Sequence, residues 1–262
     1  LLSKTSTSKL PTGSVLDSGN WYKYSLNTSG IYKLTYSQLK SNGFDVDNLN
    51  PQTIKMYHNG GGMLPEANSD FRFDDLNEIP ITAIGEEDGT FDAGDYILFY
   101  GESTHKTIYD DADKLFRHRY NVYDNNAYYY ITYNGDLGKR ISSKSLQTTS
   151  DGTVSQFDEL TYYESDKENV LNSGREWYGD NYTYINPRNY NLSTPGLVKD
   201  SELTITSAMM GMIPGATGYF KSKVNGVTLG SQTIFGATKS NYGTKGRGTT
   251  TDFPLNSASI SN

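Results

Sequence analysis

The residues of this chain best equipped for chemistry fall in two clusters. The first is Gly85-Glu86-Glu87-Asp88-Gly89-Thr90-Phe91-Asp92-Ala93-Gly94-Asp95, where carboxylates alternate with glycines. Closely spaced carboxylates in a tight turn can serve as hard oxygen ligands, so Glu86, Asp88, Asp92 and Asp95 are a candidate Ca²⁺ set. The spacing departs from the EF-hand pattern, because Ile84 stands where the first carboxylate belongs once Gly89 takes the glycine position. A solvated β-turn is the competing reading of the same residues. The second cluster is Ser173-Gly174-Arg175-Glu176-Trp177-Tyr178-Gly179. Arg175, Glu176, Trp177 and Tyr178 combine a planar guanidinium, a carboxylate and two amphipathic rings, which suits a peptide- or glycan-binding groove. A structural cross-link, with Arg175 paired to an acid and Trp177 plugging an interface, is the alternative.

Other chemistries find little support. With 0 Cys, the chain has neither a thiol nucleophile nor a Cys-ligated zinc site, and no disulfide framework. The three histidines, His58, His105 and His118, lack the spacing and neighbouring carboxylates that mark a metal site or a general base. No Gly-x-Ser-x-Gly elbow supports a serine nucleophile. Asn59-Gly60-Gly61-Gly62 lacks the Lys-Ser/Thr ending of a phosphate cradle and reads as a turn or bulge. A net charge of −7 without basic clusters argues against a nucleic-acid partner. No apolar run approaches the roughly 20 residues that span a bilayer.

The elements that must position these residues are strands. Aromatics make up 13% of the chain, including 22 Tyr, and a tyrosine ring buries area while its hydroxyl finds a partner. Tyr-rich sheets can therefore build cores although the hydrophobic fraction is only 35%. Gly94 to Gly101 reads as a central strand covered on both faces. Tyr22, Tyr24 and Leu26 alternate with polar neighbours, and with Thr28-Ser29-Gly30 as turn they predict a hairpin to Ile31–Leu34. Thr35 or Ser37 can cap a short helix through Gln38–Lys40, ended by Gly43. Pro80 places the strand around Leu76–Ile81 at an edge or bulge. Phe116–Tyr123 and Ala127–Tyr133 predict a second hairpin about Asp124-Asn125-Asn126. Asn225-Gly226 predicts a third, after Gly218–Val224.

The expected fold is all-β: two β-sandwich-like domains with one short helix. The change to Ser, Thr, Lys and Gly from Ser142 to Ser155 suggests the boundary, giving domains over 1–145 and 146–262. Leu1 to Ser18 reads as an exposed leader. The second domain is jelly-roll-like, and its tail from Gly236 shows no closing strand, so chain beyond Asn262 is expected to complete it.

Several stretches, taken in order, resemble the amino-terminal region of the type IX secretion system sortases of Bacteroidetes, within the gingipain-like cysteine peptidases. They are Gly19–Lys23, Ser29–Leu34, Asn59–Glu66, Gly94–Gly101 and Ser173–Gly179. The resemblance implies a portion upstream of the peptidase domain of a cell-surface, outer-membrane protein of a didermal bacterium. Its implied role is accessory and non-catalytic, in secretion and surface attachment. The implied partners are the downstream peptidase domain of the same polypeptide and other secretion-system or surface proteins. The family's Cys-His pair has no counterpart among these residues. The alternative is a lectin-like or adhesin-like module that grips glycans or proteins with its Tyr and Trp faces.

Overall fold

A computed structural model describes residues 13–133, 135–146, 149–150 and 152–260. Most of the leader expected over Leu1 to Ser18, and parts of the expected Ser142–Ser155 boundary, lie outside the described residues. The chain divides into two compact units, residues 1–158 and 159–262. Both are built from antiparallel strands, and the fold is all-β with one short α-helix.

The first unit contains β1 (Tyr22–Leu26), β2 (Gly30–Thr35), α1 (Tyr36–Ser41), β3 (Lys55–Tyr57), β4 (Glu78–Ile79), β5 (Thr82–Ile84), β6 (Tyr96–Gly101), β7 (Lys106–Asp110), β8 (Leu115–Arg119) and β9 (Ala127–Thr132). One sheet runs β1-β9-β3-β4, another β2-β6-β5, and β7 pairs with β8 alone. Period-two burial explains the core. Ala127, Tyr129 and Ile131 of β9 point inward with Met56 of β3, and Ile97 and Phe99 of β6 join the same apolar cluster. Phe99 and Tyr129 pack with ring centroids 5.3 Å apart. The Tyr129 hydroxyl accepts from the Glu102 amide at 2.6 Å, so a fully buried ring keeps its polar end satisfied.

Helix α1 forms where the capping signals predict. The Thr35 side chain accepts from the Gln38 amide and the Gln38 side chain returns to the Thr35 amide, a reciprocal capping box. Leu39 is the face that the helix buries.

Three sequence expectations are corrected here. The strands predicted as a hairpin across Thr28-Ser29-Gly30 lie in different sheets: β1 pairs with β9 and β2 with β6. The turn is a crossing between layers. The hairpin predicted across Asp124–Asn126 is also absent, because β8 pairs back onto β7 while β9 sits between β1 and β3. Alternation alone cannot choose a partner strand. The third concerns β6, which is central in its sheet but alternates in burial, with Tyr100 57% exposed beside buried Phe99. One face is covered and the other is partly wet. Pro80 acts as predicted, separating β4 and β5, each an edge strand of a different sheet.

The second unit contains β10 (Glu202–Gly211), β11 (Gly218–Val224), β12 (Val227–Ile234) and β13 (Arg247–Asn256). Asn225 (φ 45°) and Gly226 (φ 86°) form the predicted two-residue turn between β11 and β12. The tail expected to hold no strand contains β13, paired with β10 over ten residues from Glu202↔Asn256 to Gly211↔Arg247. Threonine supplies its β-preference where leucine and valine are missing. Gln232 and Ile234 of β12 and Phe253 of β13 form its buried centre.

Candidate functional site

In the first unit, the acidic corner is a short 3₁₀ turn, Glu86–Asp88, bracketed by Gly85 and Gly89 in the left-handed region. The carboxylates of Glu86, Asp88 and Asp95 are engaged with protein groups, while Glu87 and Asp92 are exposed. Glu86 receives Arg140 Nε at 3.0 and 2.9 Å, while the same guanidinium donates to Ile54 O at 3.1 Å and Pro51 O at 2.9 Å. Asp88 accepts from the Thr90 amide at 2.9 Å and hydroxyl at 2.8 Å, and these donors hold its carboxyl below the usual range. Asp95 accepts from the Asp92 amide at 2.8 Å. Gly85 makes room for Asp95, whose carboxylate occupies the space a Cβ at 85 would need. Among the described residues no three His, Cys, Asp or Glu side chains converge as a metal-binding group. What the corner does in this structure is fasten Arg140 across the strand ends.

The histidines come together more than the sequence implies. His105 Nδ1 and His118 Nε2 are 2.9 Å apart, with ring planes only 8° from parallel. Tyr120 lies near-parallel to both rings, at centroid distances of 5.9 and 5.6 Å. Burial, then the neighbouring His105, lowers the His118 pKa to about 4. His58 instead stacks on Tyr129 at 3.8 Å, with Nδ1 bonded to Tyr128 O at 2.9 Å. Burial lowers its pKa as well. The His105–His118 contact was not legible because it depends on the β7–β8 pairing.

In the second unit, the Arg175–Tyr178 stretch is irregular backbone tied down at one end. Tyr178 exchanges two 2.9 Å backbone hydrogen bonds with Glu168. Its hydroxyl reaches over β13, where a Cβ at Gly248 would stand 2.9 Å from it. Burial, then Glu176, raises the Tyr178 pKa. Trp177 is half-buried, with Nε1 enclosed and unbonded among the described residues, while Arg175 and Glu176 are exposed. The four residues thus split into two packed rings and two solvent-facing charges.

Sequence reasoning missed the neighbouring Asp180, which organises this arm. It accepts from Lys167 at 3.0 Å, Tyr190 at 3.0 Å and Tyr163 at 3.3 Å, and Tyr182 meets Tyr190 at 3.0 Å. Lys167 and then Tyr190 depress the Asp180 pKa, while burial, then the Tyr182 and Asp180 contacts, raises that of Tyr190. No periodicity links these positions, so only the folded arm reveals them. An open cleft of about 440 Å³ is lined by Phe235, Thr244, Arg247 and Thr249, among others. Its aromatic Phe235 is 66% exposed.

The chain contains no cysteine, and no helix among the described residues is long and apolar enough to cross a membrane. No protein-family model matches the sequence, and no curated protein matches it. Among solved structures, the chain is similar to the crystal structure of dimeric latent PorU from Porphyromonas gingivalis, with a TM-score of 0.57 and 22% identity. The match covers 93% of this chain and 22% of that one, so the chain spans about a fifth of its solved neighbour. At that identity the likeness is one of fold: nearly the whole of this chain follows the path of one part of a much longer protein.

Proposed function

We propose that this chain is a non-catalytic accessory region of a gingipain-like cell-surface cysteine peptidase or sortase, concerned with protein secretion and surface attachment. The observation that carries the reading is the fold similarity to PorU over 93% of this chain, together with the order of motifs that resembles the type IX sortases. The absence of cysteine agrees with a supporting role for these residues. Its partner in this reading is a peptidase domain of the same polypeptide, and its location is extracytoplasmic, at the outer membrane of a didermal bacterium. Rigid strands suit that task, since a catalytic domain is best positioned by elements that hold their geometry.

The coding sequence that follows Asn262 tests the proposal. A gingipain-like domain with a Cys-His pair is the expected result, and that domain, produced separately, should bind the 262-residue chain. A reading frame without such a domain overturns it.

The cleft beside Phe235 and Arg247 favours a second reading, a glycan- or protein-binding surface module. A glycan array and a pull-down with the isolated chain separate the two: saturable binding lost in Phe235→Ala supports the module, and an empty array together with an empty pull-down removes it.

A further inference from the structure

The three histidines are unequal in surroundings. His58 is packed in the core against Tyr129, whereas His105 and His118 face one another across the root of the β7–β8 hairpin. We propose that His105 Nδ1 and His118 Nε2 form a chelating pair for a divalent transition-metal ion of the kind that favours imidazole.

The geometry is the main support. Zinc–imidazole bonds are about 2.0–2.1 Å, so two nitrogens on one tetrahedral ion stand roughly 3.3 Å apart. The observed 2.9 Å is within about 0.4 Å of that separation, and each ring has in addition to turn so that its lone pair leaves the nitrogen–nitrogen line and meets the ion. The backbone is equally suited. Five consecutive pairs, from Lys106↔Arg119 to Asp110↔Leu115, hold His118 and the residue beside His105 in fixed register. Strand alternation sends Arg117 and Arg119 to the face opposite His118, which keeps their charge off the ion. Lys106 is held by the Glu102 carboxylate. Tyr120 forms a flat wall beside both rings.

The proton between the rings moves to the distal nitrogen of whichever imidazole donates it, so that both facing nitrogens can offer a lone pair to the ion. Imidazole nitrogen suits Zn²⁺, Cu²⁺ and Ni²⁺ and is a poor ligand for Ca²⁺.

The experiment is calorimetric titration of the 262-residue chain with Zn²⁺, repeated with Ca²⁺, alongside nitrogen NMR of the histidine rings. Saturable binding of one Zn²⁺ per chain is expected, with no Ca²⁺ response attributable to the pair. His105→Ala and His118→Ala should each weaken the site by 10–100-fold or more, since loss of even an outer-shell partner costs about that much. The ring signals of His105 Nδ1 and His118 Nε2 should shift in the unsubstituted chain. If those signals stay put at saturating Zn²⁺, or if folded variants bind Zn²⁺ as the parent does, the proposal is wrong. The NMR arm needs no variant, so a substitution that unfolds the hairpin leaves the proposal decidable.

Discussion

The Tyr178 hydroxyl lies over Gly248, so close that a Cβ on the glycine would stand 2.9 Å from the phenolic oxygen. A ring from the irregular arm of the second unit thereby rests on a strand that contributes no side chain at the contact. Gly248→Val should destabilise the second unit by about 1 kcal/mol or more through overpacking. In a Tyr178→Ala background the same substitution should cost less, because the obstructing ring is gone. Thermal unfolding of the four species of this double-mutant cycle measures the coupling, and additive effects would refute the contact.

Asp180 should act as the fastener of the same arm. Asp180→Ala removes the acceptor shared by Lys167, Tyr163 and Tyr190, so cleavage by trypsin at Lys167 and Arg188 should accelerate relative to the parent. Because the Asp180 pKa is depressed in the folded state, its contribution is present above the unfolded carboxylate value and is lost as pH falls through the folded value. Acid should therefore loosen the arm of the parent and leave the variant's cleavage rate little changed.

His118 gives the first unit a different acid sensitivity. Its pKa falls from about 6.5 unfolded to about 4 folded, so the unfolded chain binds the proton first. Stability is complete above the unfolded value and declines as pH drops from about 6.5 towards 4. His58, also depressed by burial, adds to the decline. Denaturant midpoints measured across that window should fall less steeply in His118→Gln than in the parent.

Tyr129→Phe tests the buried hydroxyl alone. The ring contacts with Phe99 and His58 remain, but the Glu102 amide loses its 2.6 Å acceptor. A loss of about 1–3 kcal/mol is expected for a buried donor left unmade, read from chemical denaturation at constant slope.

The local chemistry of this fold was legible and its long-range pairing was not. Thr35, Gln38 and Gly43 delimit a helix through contacts within a few residues, so the capping signals were sufficient. Asn225-Gly226 set its own hairpin because the turn requires positive φ at both positions. By contrast, β1 meets β9, and β8 turns back to β7, for reasons of core packing that a strand's own alternation does not carry. β13 was missed because Thr249, Thr250 and Thr251 resemble a polar tail until they stand opposite β10. The candidate residues followed the same division. Arg175–Tyr178 drew notice through composition, whereas Asp180 and the His105–His118 pair became functional candidates only through folding.

The passage of the chain between sheets at Thr28–Gly30, and again at Pro80, laces the two layers of the first unit like a boot. Neither layer is made from a single continuous stretch of polypeptide, so neither can be peeled off and leave the other standing. A pull on either end of this unit should consequently meet one yield point, with no half-open stage in which a single layer survives.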